Sequence, residues 1–176
     1  MNESLERTIS ELLMVARTPR TIPTAIRHAD VLEAVDATWR GRLALVGRPL
    51  TVESPYDLPD VVGNPVLLRH ALDVLLDNAL THGGGEVRIA HQVASHAVTI
   101  TVADEGPGFA NLRSNRTTPA TESAAGEAPH GLGLPLAERL IAALPGRLVL
   151  RTTTRHPEID LILRRSDVTS EPDGLR

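Results

Sequence analysis

The sequence predicts an α+β protein, a two-layer sandwich with helices packed on a mixed, mostly antiparallel sheet. Three observations lead there. Candidate strands come in adjacent pairs, which close as hairpins and do not alternate with helices as a doubly wound fold requires. One segment, residues 64–82, carries a full set of helix signals. Aromatic residues are only 2% of the 176, so Leu, Val, Ile and Ala, within a hydrophobic share of 41%, must fill the core. This length fits one domain with short extensions.

The first element is residues 2–17, NESLERTISELLMVAR. Leu5, Ile9, Leu12, Leu13 and Ala16 recur at three- and four-residue spacing, the stripe of an amphipathic helix that Asn2 or Ser4 can cap. TPRTIP, with two prolines in six residues, ends it as a linker or hinge. A second helix is expected over residues 29–45, with Val31, Leu32, Val35, Trp39 and Leu43 inward. Residues 50–53 and 60–62 read as short strands in proline-rich surroundings.

NPVLLRHALDVLLDNALTH follows. Asn64 takes the N-cap and Pro65 the first helical position, where its missing N–H costs nothing. Leu68, Leu72, Leu75, Leu76 and Ala79 form the core stripe, and Gly83, Gly84 and Gly85 stop the helix. Two alternating runs, EVRIAHQV and AVTITVAD, then form a hairpin across an Ala-Ser-His turn. Residues 110–130, rich in Ala, Ser, Thr, Glu and Pro without a period, read as a mobile loop. HGLGLPLAERLIAAL reads as a helix entered through glycines, RLVLRTTT and EIDLIL as two last strands, and residues 166–176 as a disordered polar tail.

Composition removes several function classes. The net charge is −4 with no basic cluster, which disfavours nucleic acid or an anionic membrane as partner. Cysteine is absent, which closes disulfide, thiolate and Cys-zinc chemistry. No apolar run approaches the ~20 residues of a membrane span, and no signal-peptide core is evident. All 18 basic residues are Arg. Without lysine neither a Walker-type phosphate loop nor a Schiff base can form.

Three places could carry chemistry. Asn78 borders the core stripe of its helix, so its amide needs a partner: a nearby backbone group, or a metal or phosphate. Asp104 ends an alternating strand, and Gly106 and Gly108 after it let the backbone approach something closely or simply turn. Gly131-Leu132-Gly133-Leu134 precedes a helix, whose free N–H groups suit a phosphate if the glycines do more than pack.

In order, a helix ending DNAxxH, a strand ending DxGxG, a long loop and a GLGL helix start resemble the N, G1 and G2 boxes of the GHKL ATPase superfamily. Within it the likeness is to the catalytic and ATP-binding domain of sensor histidine kinases, over residues 28–164. The N-terminal LERTISELLMVAR also resembles the end of the dimerisation helix that precedes that domain. The resemblance implies a Bergerat-type fold over residues 21–165, after a helix and hinge at 1–20, with ATP and Mg²⁺ as cofactors. It implies that Asn78 binds Mg²⁺ and serves the transfer, and that Asp104 accepts from the adenine amino group. Gly106 and Gly108 would give the base and sugar room. Gly131, Leu132, Gly133 and Leu134 would lie by the phosphates, His82 would line the pocket, and residues 110–130 would be the lid.

The sequence departs from the family pattern at Val74, where a second polar residue is common one turn before Asn78, and at Pro129, which replaces the first glycine of the last box. Thr81 stands where a basic residue is frequent, and the lid lacks its usual phenylalanine motif. With Val74, gyrase-type water activation is not expected. None of the seven histidines, including His28, His70, His91, His96 and His156, has an acid directly after it as a phosphoacceptor histidine does. The resemblance therefore implies an excised domain or one half of a split kinase, cytoplasmic or the cytoplasmic part of a membrane sensor. Its partners would be a phosphoacceptor-histidine domain or chain, a response regulator downstream, and a second copy through the N-terminal helix. The rival expectations are an anti-sigma-type serine/threonine kinase and a nucleotide-sensing module without transferase activity.

Overall fold

The computed structural model describes residues 24–53, 58–107, 133–152 and 156–167. In chain order the elements are β1 (Thr24–Ile26), α1 (His28–Ala44), β2 (Leu50–Val52), β3 (Val61–Gly63), α2 (Pro65–His82), β4 (Val87–Val93), β5 (Ala97–Asp104), α3 (Gly133–Ala143), β6 (Gly146–Thr152) and β7 (Pro157–Arg164). The main sheet runs β2-β4-β5-β7-β6. Among the described strands only β2 and β4 pair in parallel, and every other neighbour in this sheet is antiparallel. The predicted α+β class, with helices on a mixed, mostly antiparallel sheet, is the observed one.

Period-two alternation makes the layer. Val98, Ile100 and Val102 of β5 and Ile159, Leu161 and Leu163 of β7 are buried in one cluster with the helices. The opposite face holds the polar set. There Asp160 is only 5% exposed, yet its carboxylate is satisfied: Thr101 Oγ1 donates at 2.7 Å and Arg151 at 2.7 and 2.8 Å.

On α2 the predicted stripe is buried, and Leu67 and Ala71 widen it. Burying each leucine fully contributes roughly 1.5–3 kcal/mol. The Asn64 side chain accepts from Val66 N at 2.8 Å and Leu67 N at 3.3 Å, with Pro65 next in line. Trp39 of α1 lies under Arg42, whose guanidinium is 4.1 Å from the ring centroid, and donates to Asp73 of α2 at 2.7 Å.

One element was not expected. β1 pairs with β3 as a separate two-stranded ribbon, Ile26 opposite Val61, and Val61 bridges Arg165 beyond the end of β7. A three-residue strand whose partner lies beyond α1 and β2 leaves no alternation to read. The expected helix at 2–17, the hinge at 18–23, the loop at 110–130 and the tail from 168 lie outside the described residues.

Candidate functional site

The end of α2 and the end of β5 meet glycine against glycine. Asp104 Oδ1 accepts from Gly106 N at 2.6 Å and from Gly84 N at 3.2 Å. Glu105 N donates back to Gly84 O at 2.9 Å, so the turns after the two elements hold each other. No described hydrogen bond engages Oδ2 of Asp104, which is half-buried.

The glycines here serve proximity more than conformation. Gly83 caps α2 with φ −83°, a value any residue adopts, and does not use the left-handed conformation of the usual glycine cap. A Cβ on it would stand 2.5 Å from Ala79 O and 2.6 Å from Asp104 Oδ1. One on Gly106 would stand 2.5 Å from the same carboxylate oxygen. Only Gly85, at φ 53°, needs left-handed backbone in this turn.

Asn78 is half-buried in the last turns of α2, and no described hydrogen bond engages its carboxamide. The alternative of a bond to a neighbouring backbone group is thus not what the described contacts contain. Val74, four residues earlier on the same helix face, has Cγ1 3.6 Å from where a Cβ on Gly133 would sit. Val74 therefore touches the N-terminus of α3. Four residues, about 6 Å of rise, carry the chain from Val74 to Asn78, and about 7.5 Å more reaches Gly83 beside Asp104. Asn78 thus lies between the first turn of α3 and the Asp104 clasp. His82 continues that face and is exposed; Leu134 is buried in the first turn of α3. Gly108, Gly131 and Leu132 lie outside the described residues.

Among the described residues no group of three or more His, Cys, Asp or Glu side chains comes together to hold a metal. A Mg²⁺ ion suits this setting only as one arriving with phosphates, since it keeps waters and takes few protein ligands. An Asn78 amide with no hydrogen-bond partner among the described residues, one turn on from the Val74 that faces the start of α3, fits that role.

Two features escaped the sequence. Arg48, after α1, sends its guanidinium to three carbonyls of the α2 end: Nε to Gly85 O at 2.7 Å, and the two terminal nitrogens to Ala79 O at 2.5 Å and Gly84 O at 2.7 Å. Nothing in a lone loop arginine signals this, although three glycines where one would end a helix is a clue to close approach. Away from this site His28 is fully buried, its ring centroid 6.0 Å from that of His91. Burial foremost, then the neighbouring His91, pushes His28 down to about 4, against an opposing pull from Asp60.

Comparison with known proteins adds identity to this geometry. The family model described as histidine kinase-, DNA gyrase B-, and HSP90-like ATPase matches residues 63–172. The sensor histidine kinase component HK1 of Mycobacterium tuberculosis (strain ATCC 25618 / H37Rv) is 36% identical over 135 residues, 74% of this chain and 77% of the relative. The probable sensor histidine kinase HK of strain CDC 1551 / Oshkosh of the same species is also 36% identical over 135 residues, but the chain covers only 34% of its length. The solved structure of full-length ShkA in complex with AMPPNP superposes with a TM-score of 0.69 at 24% identity, over 93% of this chain and 36% of that one, which shows a shared fold.

Proposed function

The chain belongs to the histidine kinase-, DNA gyrase B-, and HSP90-like ATPase family, and from that premise we propose that it is the Mg-ATP-binding catalytic domain of a two-component sensor histidine kinase. It passes the γ-phosphoryl group to a histidine on a separate domain or partner chain. The observation that carries this reading is the state of Asp104: one carboxylate oxygen fixed by two backbone amides, the other uncommitted at the mouth of a glycine-lined turn. That leaves one directed acceptor, the group an adenine amino donor requires, with Gly106 giving the base room.

Asn78 orients the metal-bound phosphates, and the first turn of α3 at Gly133 and Leu134 offers them amide donors and a positive dipole end. By family resemblance Gly108 would serve the base and sugar and Gly131 and Leu132 the phosphates, although all three lie outside the described residues, and His82 lines the nucleotide pocket. When bound, Mg-ATP supplies the phosphoryl group and neutralises its charge, so the chain's own part is positioning and electrostatics. Val74 puts a methyl where a water-activating carboxylate would be needed, which favours transfer over hydrolysis. The acceptor and the acid that activates it come from the partner, and a response regulator acts downstream.

The two mycobacterial relatives support transfer between chains: the same region makes up most of a protein named a component and about a third of a longer kinase. The test is incubation with γ-labelled ATP, Mg²⁺ and a separately expressed helix hairpin bearing a His-acid pair. Label should appear on the hairpin, be lost in acid and survive alkali, and Asn78→Ala should abolish both binding and transfer. An acid-stable label would replace this reading with a serine/threonine kinase.

A further inference from the structure

We infer that Arg48 is a positioning residue for base selection, acting through the triglycine turn to fix the Asp104 carboxylate. This rests on the adenine role of Asp104 proposed above.

Arg48 is half-buried, and none of its described partners is an acid; all three are carbonyl oxygens. Ala79 O is already the acceptor for Gly83 N at the helix end, and Gly84 O for Glu105 N. The guanidinium therefore sits at the negative end of α2, where a cation is favoured. It adds two charge-assisted bonds to a turn that has no side chains of its own, and a third to the helix end before it.

The turn needs that help because its composition is dictated elsewhere. Asp104 packs so close to Gly83 that a Cβ would collide with it, and Gly85 stands at φ 53°. Three successive glycines lose the most backbone entropy on ordering, and none can pack to offset the loss. Gly84 is held from both sides: its N–H by Asp104 Oδ1, its C=O by Arg48. Remove Arg48, and the Gly84 N–H can swing away from Asp104. The carboxylate then keeps only the Gly106 bond and is free to rotate its uncommitted oxygen away from the base.

That separates Arg48 from an ordinary stabilising residue. A loosened clasp weakens recognition of the base amino group specifically, while contacts to the phosphates at Asn78 and α3 remain. A purely structural defect weakens all nucleotides together.

The experiment compares binding of ATP and inosine triphosphate, which has a carbonyl in place of the amino group, by titration calorimetry. Wild type should prefer ATP, and Asp104→Asn should erase most of that preference. Arg48→Met, which keeps the stem and removes the donors, should cut the preference about tenfold with little change in inosine triphosphate affinity. Arg48→Lys, able to reach only part of the carbonyl set, should fall between. If Arg48→Met does not fold, Arg48→Lys and Arg48→Gln give the same ratio. Loss of preference in Asp104→Asn with full preference in the Arg48 variants overturns this inference alone. No preference in wild type, or none lost in Asp104→Asn, overturns the adenine reading and this inference with it.

Discussion

At the scale of single residues, position in the fold decides what a histidine does. His28 starts α1 with no exposed surface, and neither of its ring nitrogens has a hydrogen-bond partner. Burial and the adjacent His91 disfavour its charged form, Asp60 favours it, and the balance holds it down at about 4 against 6.5 for the free group. His91 is lowered too, by burial first, with Glu53 opposing. The unfolded chain therefore binds a proton at His28 that the folded chain refuses. Stability from this residue is present above pH 6.5 and lost as the pH falls towards 4, about 3 kcal/mol in all. Urea unfolding at pH 7.5 and 4.5 should show this loss, and His28→Leu should flatten the difference between them. Equal pH slopes in the two proteins would refute the assignment. IRHADV by itself is compatible with a solvated or a packed histidine, because the groups near His28, His91 of β4 and Asp60, are far along the chain.

At the scale of elements, legibility follows how local the cause is. α2 was readable to the residue because Asn64, Pro65 and the leucine stripe act within a few turns of one another. Asn64→Ala removes the acceptor for Val66 N and Leu67 N. The cost should be about 1 kcal/mol, a fall of roughly 2–4 °C in melting temperature, with the unfolding transition still single. Because Asn64 caps the far end of the helix from Asn78, nucleotide affinity should be unchanged; a drop in affinity would mean that α2 moves as a lever. The β4–β5 hairpin was equally legible, since its alternation is printed in consecutive residues. β1 and the Arg48 clamp were not. Each depends on a partner dozens of residues away, β3 for one and the glycine turn for the other, and neither leaves a periodic trace. At the candidate site the sequence named Asn78 and Asp104, the residues proposed to face the nucleotide. It missed the ones behind them, which determine how well Asp104 is held.

At the scale of the whole molecule, the proposed transfer asks this chain for one half of a reaction. The sheet and helices α2 and α3 bring a directed carboxylate, an uncommitted amide and a helix N-terminus to one end. No histidine followed by an acid occurs anywhere in the sequence. If transfer runs to another chain, its rate must depend on an encounter that a kinase carrying its own acceptor does not need. At saturating Mg-ATP the initial rate should rise in proportion to acceptor concentration and then level off as the complex fills. The chain alone should retain no label after the nucleotide is removed. Fusing the acceptor hairpin ahead of residue 24 by a flexible linker should make the rate independent of protein concentration, through an effective concentration in the millimolar range. A chain that labels itself at a rate indifferent to added acceptor would show that the acceptor lies within it, and would end the two-chain proposal.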